Sequence, residues 1–291
     1  MSSTLGIIVT FNRLSLLKNC LSAVQNQTQK PDEVLVINNG STDGTAEFLD
    51  SLDWITVIHK INDGGAGGFY AGIEYGLKSK HDFFWCMDDD GFPKEDALEK
   101  LLKHTSKDYA ALNSLVVSLE DSSVLSFGMP ELDKNRMPKL KKPFTIVEEL
   151  KKISIDGETV PFGSFFNGTL LYKNVVEKVG NIKKELFIWG DELDYIYRLQ
   201  KEKEVRTVLD SIHFHPKPIA KNPPIWKLYF GLRNSIYNTR LHLNHKILRF
   251  LKTLITLFPK FLAQKNGMKF FLKAMINGFK NDPSPKLPFE V

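Results

Sequence analysis

Four short apolar runs in the first 110 or so residues each stop abruptly at polar side chains, and each is followed by a segment with helical character. "GIIVTF" ends in Asn12 and Arg13 and precedes "LSLLKNCLSAVQNQT". "EVLVINNG" precedes "STDGTAEFLDSL", and "ITVIHK" precedes the glycine-rich "NDGGAGGFYAGIEYGLKS". "DFFWCMDDDG" closes the series with three aspartates. This alternation predicts an α/β fold with a mostly parallel central sheet flanked by helices. In open sheets of that kind ligands bind beyond the carboxyl ends of the strands. Residues 10–13, 38–43, 62–68 and 88–90 are therefore expected along one edge.

The rest of the chain divides by pattern and charge. Residues 118–160 are less regular and read as an insertion or cover, and 161–216 return to strand and helix patterns. Pro216, Pro218, Pro223 and Pro224 mark a boundary. Residues 217–291 then read as a basic helical extension. Residues 211–291 carry 14 Lys and Arg against two acids, Asp282 and Glu290, whereas the whole chain is only +5, so the preceding body is acidic. Clustered cations seek anionic surfaces such as membranes or nucleic acid. No nucleic-acid-binding motif accompanies them, so no nucleic-acid partner is expected. Residues 246–280 hold eight Lys and Arg, no acid, and Leu, Ile and Phe at helical spacing on either side of Pro259. Two readings stand: helices lying in an anionic lipid interface, or apolar stripes packed on the main body with solvated lysines.

At 291 residues with 42% apolar and 25% charged side chains, the composition excludes a disordered chain, a collagen-like fibre and a disulfide-stapled miniprotein. Only Cys20 and Cys86 are present, which points to a reducing compartment. The opening "LGIIVT" is too short for a signal peptide, and no stretch reaches the roughly 18 apolar residues of a membrane span. The expected location is cytoplasmic, with peripheral contact to the inner membrane leaflet left open by the basic helices.

Asp88, Asp89 and Asp90 would share a small volume at a strand end. A hard divalent cation, Mn²⁺ or Mg²⁺, would relieve their repulsion and would also suit phosphate oxygens. An acidic turn ahead of the helical "PKEDALEKLL" is the alternative. Gly64, Gly65, Gly67 and Gly68 precede a helix, where bare backbone amides can approach a pyrophosphate, though a tight structural turn explains them equally well. "GDELD" places Asp191, Glu192 and Asp194 at a helix start, either as a general base or as charges complementing the helix dipole. Asp194 and Arg198, four residues apart, suit an ordinary helix ion pair. His213 and His215 share one strand face, and either could ligate metal.

Taken in order, "IIVTFNR", "EVLVINNGSTDGT", "NDGGAGGFYAG", "MDDDG", "FNGTLL", "FIWGDELDYIYR" and "HFH" resemble the family 2 glycosyltransferases of GT-A fold. The resemblance covers roughly residues 4–216 and is greatest to the galactofuranosyltransferase and rhamnosyltransferase-like branch. It implies inverting transfer of a sugar from a UDP or dTDP donor to a hydroxyl of a cell-surface glycan or lipid-linked intermediate. It places the donor nucleotide against Thr10, Phe11, Asn12, Arg13, Asn39, Asp43, Gly64, Gly65, Asp88 and Asp89. It assigns Asp88, Asp90 and His215 to a divalent cation, with His215 favoured over His213. The base falls in the pair Asp191–Glu192, Glu192 first and Asp191 as the fallback. Trp189, Phe166, Asn167 and Gly168 are candidate acceptor walls, core packing being the alternative for the aromatics. Where the family commonly has two acids, this chain has Asn38–Asn39. A nucleotide-sugar pyrophosphorylase and a non-catalytic membrane-associated partner remain as other functions. The first normally needs a glycine-rich basic loop after the first strand, which "TFNRLS" does not supply.

Overall fold

β1 (Thr4–Thr10) is buried at all seven positions, which follows from its place between two parallel neighbours with helices on both faces. The computed structural model describes residues 2–155, 157–217 and 223–280; Pro218, Asp282 and Glu290 lie outside them. After β1 the chain runs through α1 (Leu14–Gln25), β2 (Glu33–Asn38), α2 (Thr45–Asp50), β3 (Thr56–His59), α3 (Gly64–Lys78) and β4 (Phe83–Asp88). β1 pairs in parallel with β2 and β4, and β2 with β3. The polar residues after these strands thus lie along one carboxyl edge.

The next stretch comprises β5 (Phe92–Pro93), α4 (Ala97–Lys103), β6 (Tyr109–Ser118), β7 (Val124–Met129), β8 (Phe144–Ile146), α5 (Val147–Lys151) and β9 (Thr159–Pro161). β10 (Asn167–Tyr172), α6 (Lys173–Val179), α7 (Asp191–Glu202) and β11 (Glu204–His215) follow. The main order is β3-β2-β1-β4-β10-β6-β11-β5. β10 enters antiparallel between β4 and β6, so only the first half of the sheet is parallel throughout and the whole is mixed. Residues 118–160, expected to be irregular, contain β7, β8, α5 and β9. Leu125, Met129, Leu150 and Val160 in these elements join Leu115 and Val117 in a small apolar cluster of their own.

Three glycines of α3 are there for close approach. A Cβ on Gly68 would come within 2.4 Å of Val9, one on Gly72 within 2.4 Å of Ile7, and one on Gly76 within 2.7 Å of Phe84. This row, repeating every fourth residue, lets α3 lie directly on β1 and β4.

The remaining helices, α8 (Ile225–His242), α9 (Lys246–Leu262) and α10 (Gly267–Gly278), pack around Tyr229, Phe230, Phe261 and Ala274. α8 is the inner member and touches α7 as well as α9 and α10. Among the described residues no helix is long and apolar enough to cross a membrane.

Candidate active site

β4 ends at Asp88 and the chain turns at once, so the three aspartates do not continue in strand alternation. Asp89 points inward: it is 2% exposed and accepts hydrogen bonds from Thr10 Oγ1 at 2.6 Å and Arg13 Nη1 at 3.0 Å. Asp90 faces the other way. One of its oxygens lies 2.6 Å from Arg13 Nη1, and the other 3.2 Å from His215 Nε2. Burial works against its charge, but the His215 hydrogen bond and the Arg13 guanidinium hold the Asp90 carboxyl below its ordinary value. Asp88 has no such help, since no hydrogen bond reaches its side chain among the described residues. Burial, then the Asp90 and Asp89 charges, push its carboxyl well above the usual range against the pull of Arg13.

His213 and His215 separate cleanly. His213 is fully buried, neither ring nitrogen has a partner among the described residues, and burial lowers it to about 3. A Cβ on Gly91 would strike its Nε2 at 2.5 Å, so the missing side chain at Gly91 is what lets this ring pack there. His215, partly exposed, instead faces Asp90, with Nε2 3.2 Å from its carboxylate. Among the described residues no three His, Cys, Asp or Glu side chains already converge as a metal cluster. The preformed pair is Asp90–His215. The donor set nevertheless fits a hard cation, because the crowded Asp88 carboxyl two residues away has no hydrogen-bond partner among the described residues to offset the neighbouring acids.

The other donor-side residues divide into those that build the edge and those that face outward. Asn12, at φ 52°, accepts a hydrogen bond from Thr42 N at 2.7 Å, while Asp43 accepts one from Leu14 N at 3.0 Å and so caps α1 from another loop. Asn39 is buried and donates to the Gly64 carbonyl at 2.9 Å; Lys60 Nζ lies 3.2 Å from its side-chain oxygen. Phe11 is 41% exposed and free to meet a ring. A Cβ on Gly64 would sit 2.2 Å from the Phe187 carbonyl, so that glycine serves packing, whereas Gly65 faces open space. Of the four motif glycines, Gly65 is the one with room for a ligand.

The acids of α7 are positioned by α8. Arg233 donates to the Glu185 and Leu186 carbonyls, and Asn234 Nδ2 lies 2.9 Å from each of the Leu186, Ile188 and Trp189 carbonyls. Asn238 donates to the Gly190 carbonyl at 2.7 Å. These bonds satisfy backbone in a segment where Phe187, Trp189 and Gly190 all take positive φ, and they fix where α7 begins. Asp191 then turns inward, 6% exposed, its carboxyl pushed up by burial and by Glu192. Glu192 accepts a hydrogen bond from Gly190 N at 2.9 Å and borders a cavity of about 420 Å³ between α7, α8 and α9. Asp88 lies within electrostatic reach of both Asp191 and Glu192.

Trp189 also lines that cavity. Phe166 does not: it is 2% exposed, stacked on Phe69 at 3.9 Å, so core packing is what this ring does. Asn167 is equally buried, and Gly168, at φ 73°, packs against Ser114 and His213. Sequence reading missed Tyr197, Arg249 and Lys252, which line the cavity from α7 and α9. It also missed Lys227 of α8, which lies 5.6 Å from the Trp189 ring centre and within electrostatic range of Asp90 and Arg13. A lysine in a helix carries no local signal of what it will face.

The family model described as Glycosyl transferase family 2 matches residues 7–165, more than half the chain. The chain belongs to glycosyltransferase family 2. It is 30% identical over 227 residues to the galactofuranosyltransferase GlfT1 of Mycolicibacterium smegmatis, covering 76% of this chain and 73% of that protein. With GlfT1 of Mycobacterium tuberculosis H37Rv it shares 27% identity over 221 residues, 74% of this chain and 70% of that one. Among solved structures, GalNAc-T7 with UDP, GalNAc and Mn²⁺ aligns with a TM-score of 0.65 at 15% identity. That alignment covers 94% of this chain and 55% of GalNAc-T7. S. aureus TarS 1–349 in complex with UDP aligns at 0.59 and 12% identity, covering 94% of this chain and 81% of that one. The fold is therefore GT-A, and the protein is a glycosyltransferase.

Proposed function

We propose that this glycosyltransferase inverts the anomeric centre of a sugar carried on UDP or dTDP, of galactofuranose or rhamnose type, with help from a divalent cation. The observation that carries this reading is the placement of Glu192 on an open cavity, within electrostatic reach of Asp88 at the sheet edge. An acceptor hydroxyl in the cavity would attack the anomeric carbon from the face opposite the diphosphate. The new C–O bond forms as the bond to the diphosphate breaks, and the hydroxyl proton passes to Glu192. Asp191 is less suited to that task, because it is turned away from open space and its carboxyl is held up by burial.

Asp88, Asp90 and His215 are the residues that would hold Mn²⁺ or Mg²⁺. Such an ion screens the negative charge that builds on the leaving diphosphate. Arg13 and Lys227 place two further cations on the same side, where that charge develops. Phe11, Gly65 and the loop held by Asn12 and Asp43 frame space for the nucleoside. Trp189 offers an aromatic face to the acceptor sugar. The similarity to GlfT1 supports the galactofuranose type, and the GalNAc-T7 structure with UDP and Mn²⁺ supports both donor class and ion. The acceptor is a cell-surface glycan or a lipid-linked intermediate, which would bring the enzyme to the cytoplasmic leaflet.

Product analysis tests the reading. Turnover of a UDP- or dTDP-sugar should vanish with a chelator and return with Mn²⁺, and NMR should find the anomeric configuration inverted. Retention of configuration, or turnover indifferent to chelation, would overturn it.

A further inference from the structure

The two outermost helices leave an apolar face uncovered. On α9, Ile247 is 76% exposed, Leu251 47% and Ile255 75%; on α10, Leu272 is 52% exposed and Ile276 63%, with Phe279, just past its end, at 53%. Three ring contacts, Phe250 with Phe279, Phe258 with Phe271 and Phe261 with Phe271, hold the two helices side by side. At 100° per residue the exposed apolar residues of each helix fall in a single stripe about 100° wide or less. Lys273 directly follows a stripe residue of α10, Lys269 follows Met268, 45% exposed one turn earlier, and no acid occurs anywhere in residues 246–280. The opposite face of α9 is already in use. Arg249, Thr253 and Leu257 line the cavity beside Glu192, and they lie about 180° around the helix from the stripe.

We propose that the α9–α10 face docks on an anionic lipid surface, with its apolar stripes in the interface and its lysines at headgroup level. The charge pattern chooses the occupant. A second copy meeting this face across a twofold axis would set lysines against lysines with no acid to pair them, whereas acidic headgroups answer every one. Because one helix carries the docking stripe outside and the cavity row inside, docking holds the Glu192 cavity one helix diameter above the interface, about 10 Å. A membrane-held acceptor then reaches the cavity laterally, with Arg249 and Lys252 nearest any phosphate it carries. This last step rests on the proposed acceptor reading, but docking itself does not, so lipid binding and sugar transfer are scored separately.

Full-length protein is sedimented with vesicles of phosphatidylcholine alone and with vesicles containing phosphatidylglycerol. The wild type should bind the anionic vesicles and release them at high salt. Leu251→Glu/Ile255→Glu on α9, and independently Leu272→Glu/Ile276→Glu on α10, should abolish binding. Lys269→Gln/Lys273→Gln should weaken it by about fivefold per lysine removed. All four stripe positions are exposed, so thermal melting should confirm intact folds. Failure of well-folded wild type to bind anionic vesicles would overturn the proposal. So would equal binding to neutral vesicles, or a dimer that the α9 variant dissociates, since a second copy would then own the face.

Discussion

Glu192→Gln should lower kcat by about 10²–10⁴-fold while leaving donor affinity nearly unchanged, the loss expected when a general base is removed. The substitution keeps the shape and the hydrogen bond from Gly190 N, so α7 should start where it does now. What disappears is the group proposed to take the acceptor proton. Asp191→Asn is the matched control. Asp191 is buried and turned away from the cavity, so Asp191→Asn should cost far less turnover. Steady-state kinetics with a donor-binding measurement on both variants decides the matter. A fully active Glu192→Gln with a dead Asp191→Asn would exchange their roles.

Asp194→Ala should destabilise the fold by about 3–5 kcal/mol, the range for breaking a buried ion pair by removing one partner. Asp194 is fully buried, with Arg198 Nε at 2.7 Å, His242 Nε2 at 2.8 Å and Lys183 Nζ at 3.0 Å. The pair with Arg198 was readable from spacing; the two longer-range partners were not, and they tie α7 to α8 and to the chain before it. Burial opposes its charge, but His242, Arg198 and Lys183 together drive the Asp194 carboxyl far below the ordinary carboxylate value. A depressed pKa contributes stability that is fully present above the unfolded value, about 3.9, and is lost as pH falls toward the folded one. The gap between wild type and variant should therefore be constant near neutrality and shrink below about pH 4. Urea unfolding across that range measures it, and a gap under about 0.5 kcal/mol at pH 7 would show that the cluster is incidental.

The parallel half of the sheet and its ligand edge were legible because strands buried on both faces leave uninterrupted apolar runs, and Asn12, Asn38 and Asp88 end them sharply. The antiparallel entry of β10 was not, since direction depends on a partner that no local pattern names. The glycine motif was ambiguous for a related reason. Gly64 and Gly68 suit a phosphate loop in one dimension, yet a side chain on either would meet Phe187 or Val9. Phe166 shows the same ambiguity, because an aromatic next to a motif reads alike whether it lines a pocket or stacks on Phe69. The largest omission was α8. Its charge joined it to a basic tail, while Arg233, Asn234 and Asn238 on its buried side hold the very backbone that presents Glu192.

Calorimetric titration of UDP- and dTDP-sugars, with and without Mn²⁺, tests the central claim most directly when run on wild type and Asp90→Asn. One donor should bind wild type tightly only with the ion, and Asp90→Asn should lose this dependence together with most of the affinity. Donor binding that ignores both Mn²⁺ and the loss of the Asp90 charge would contradict that claim.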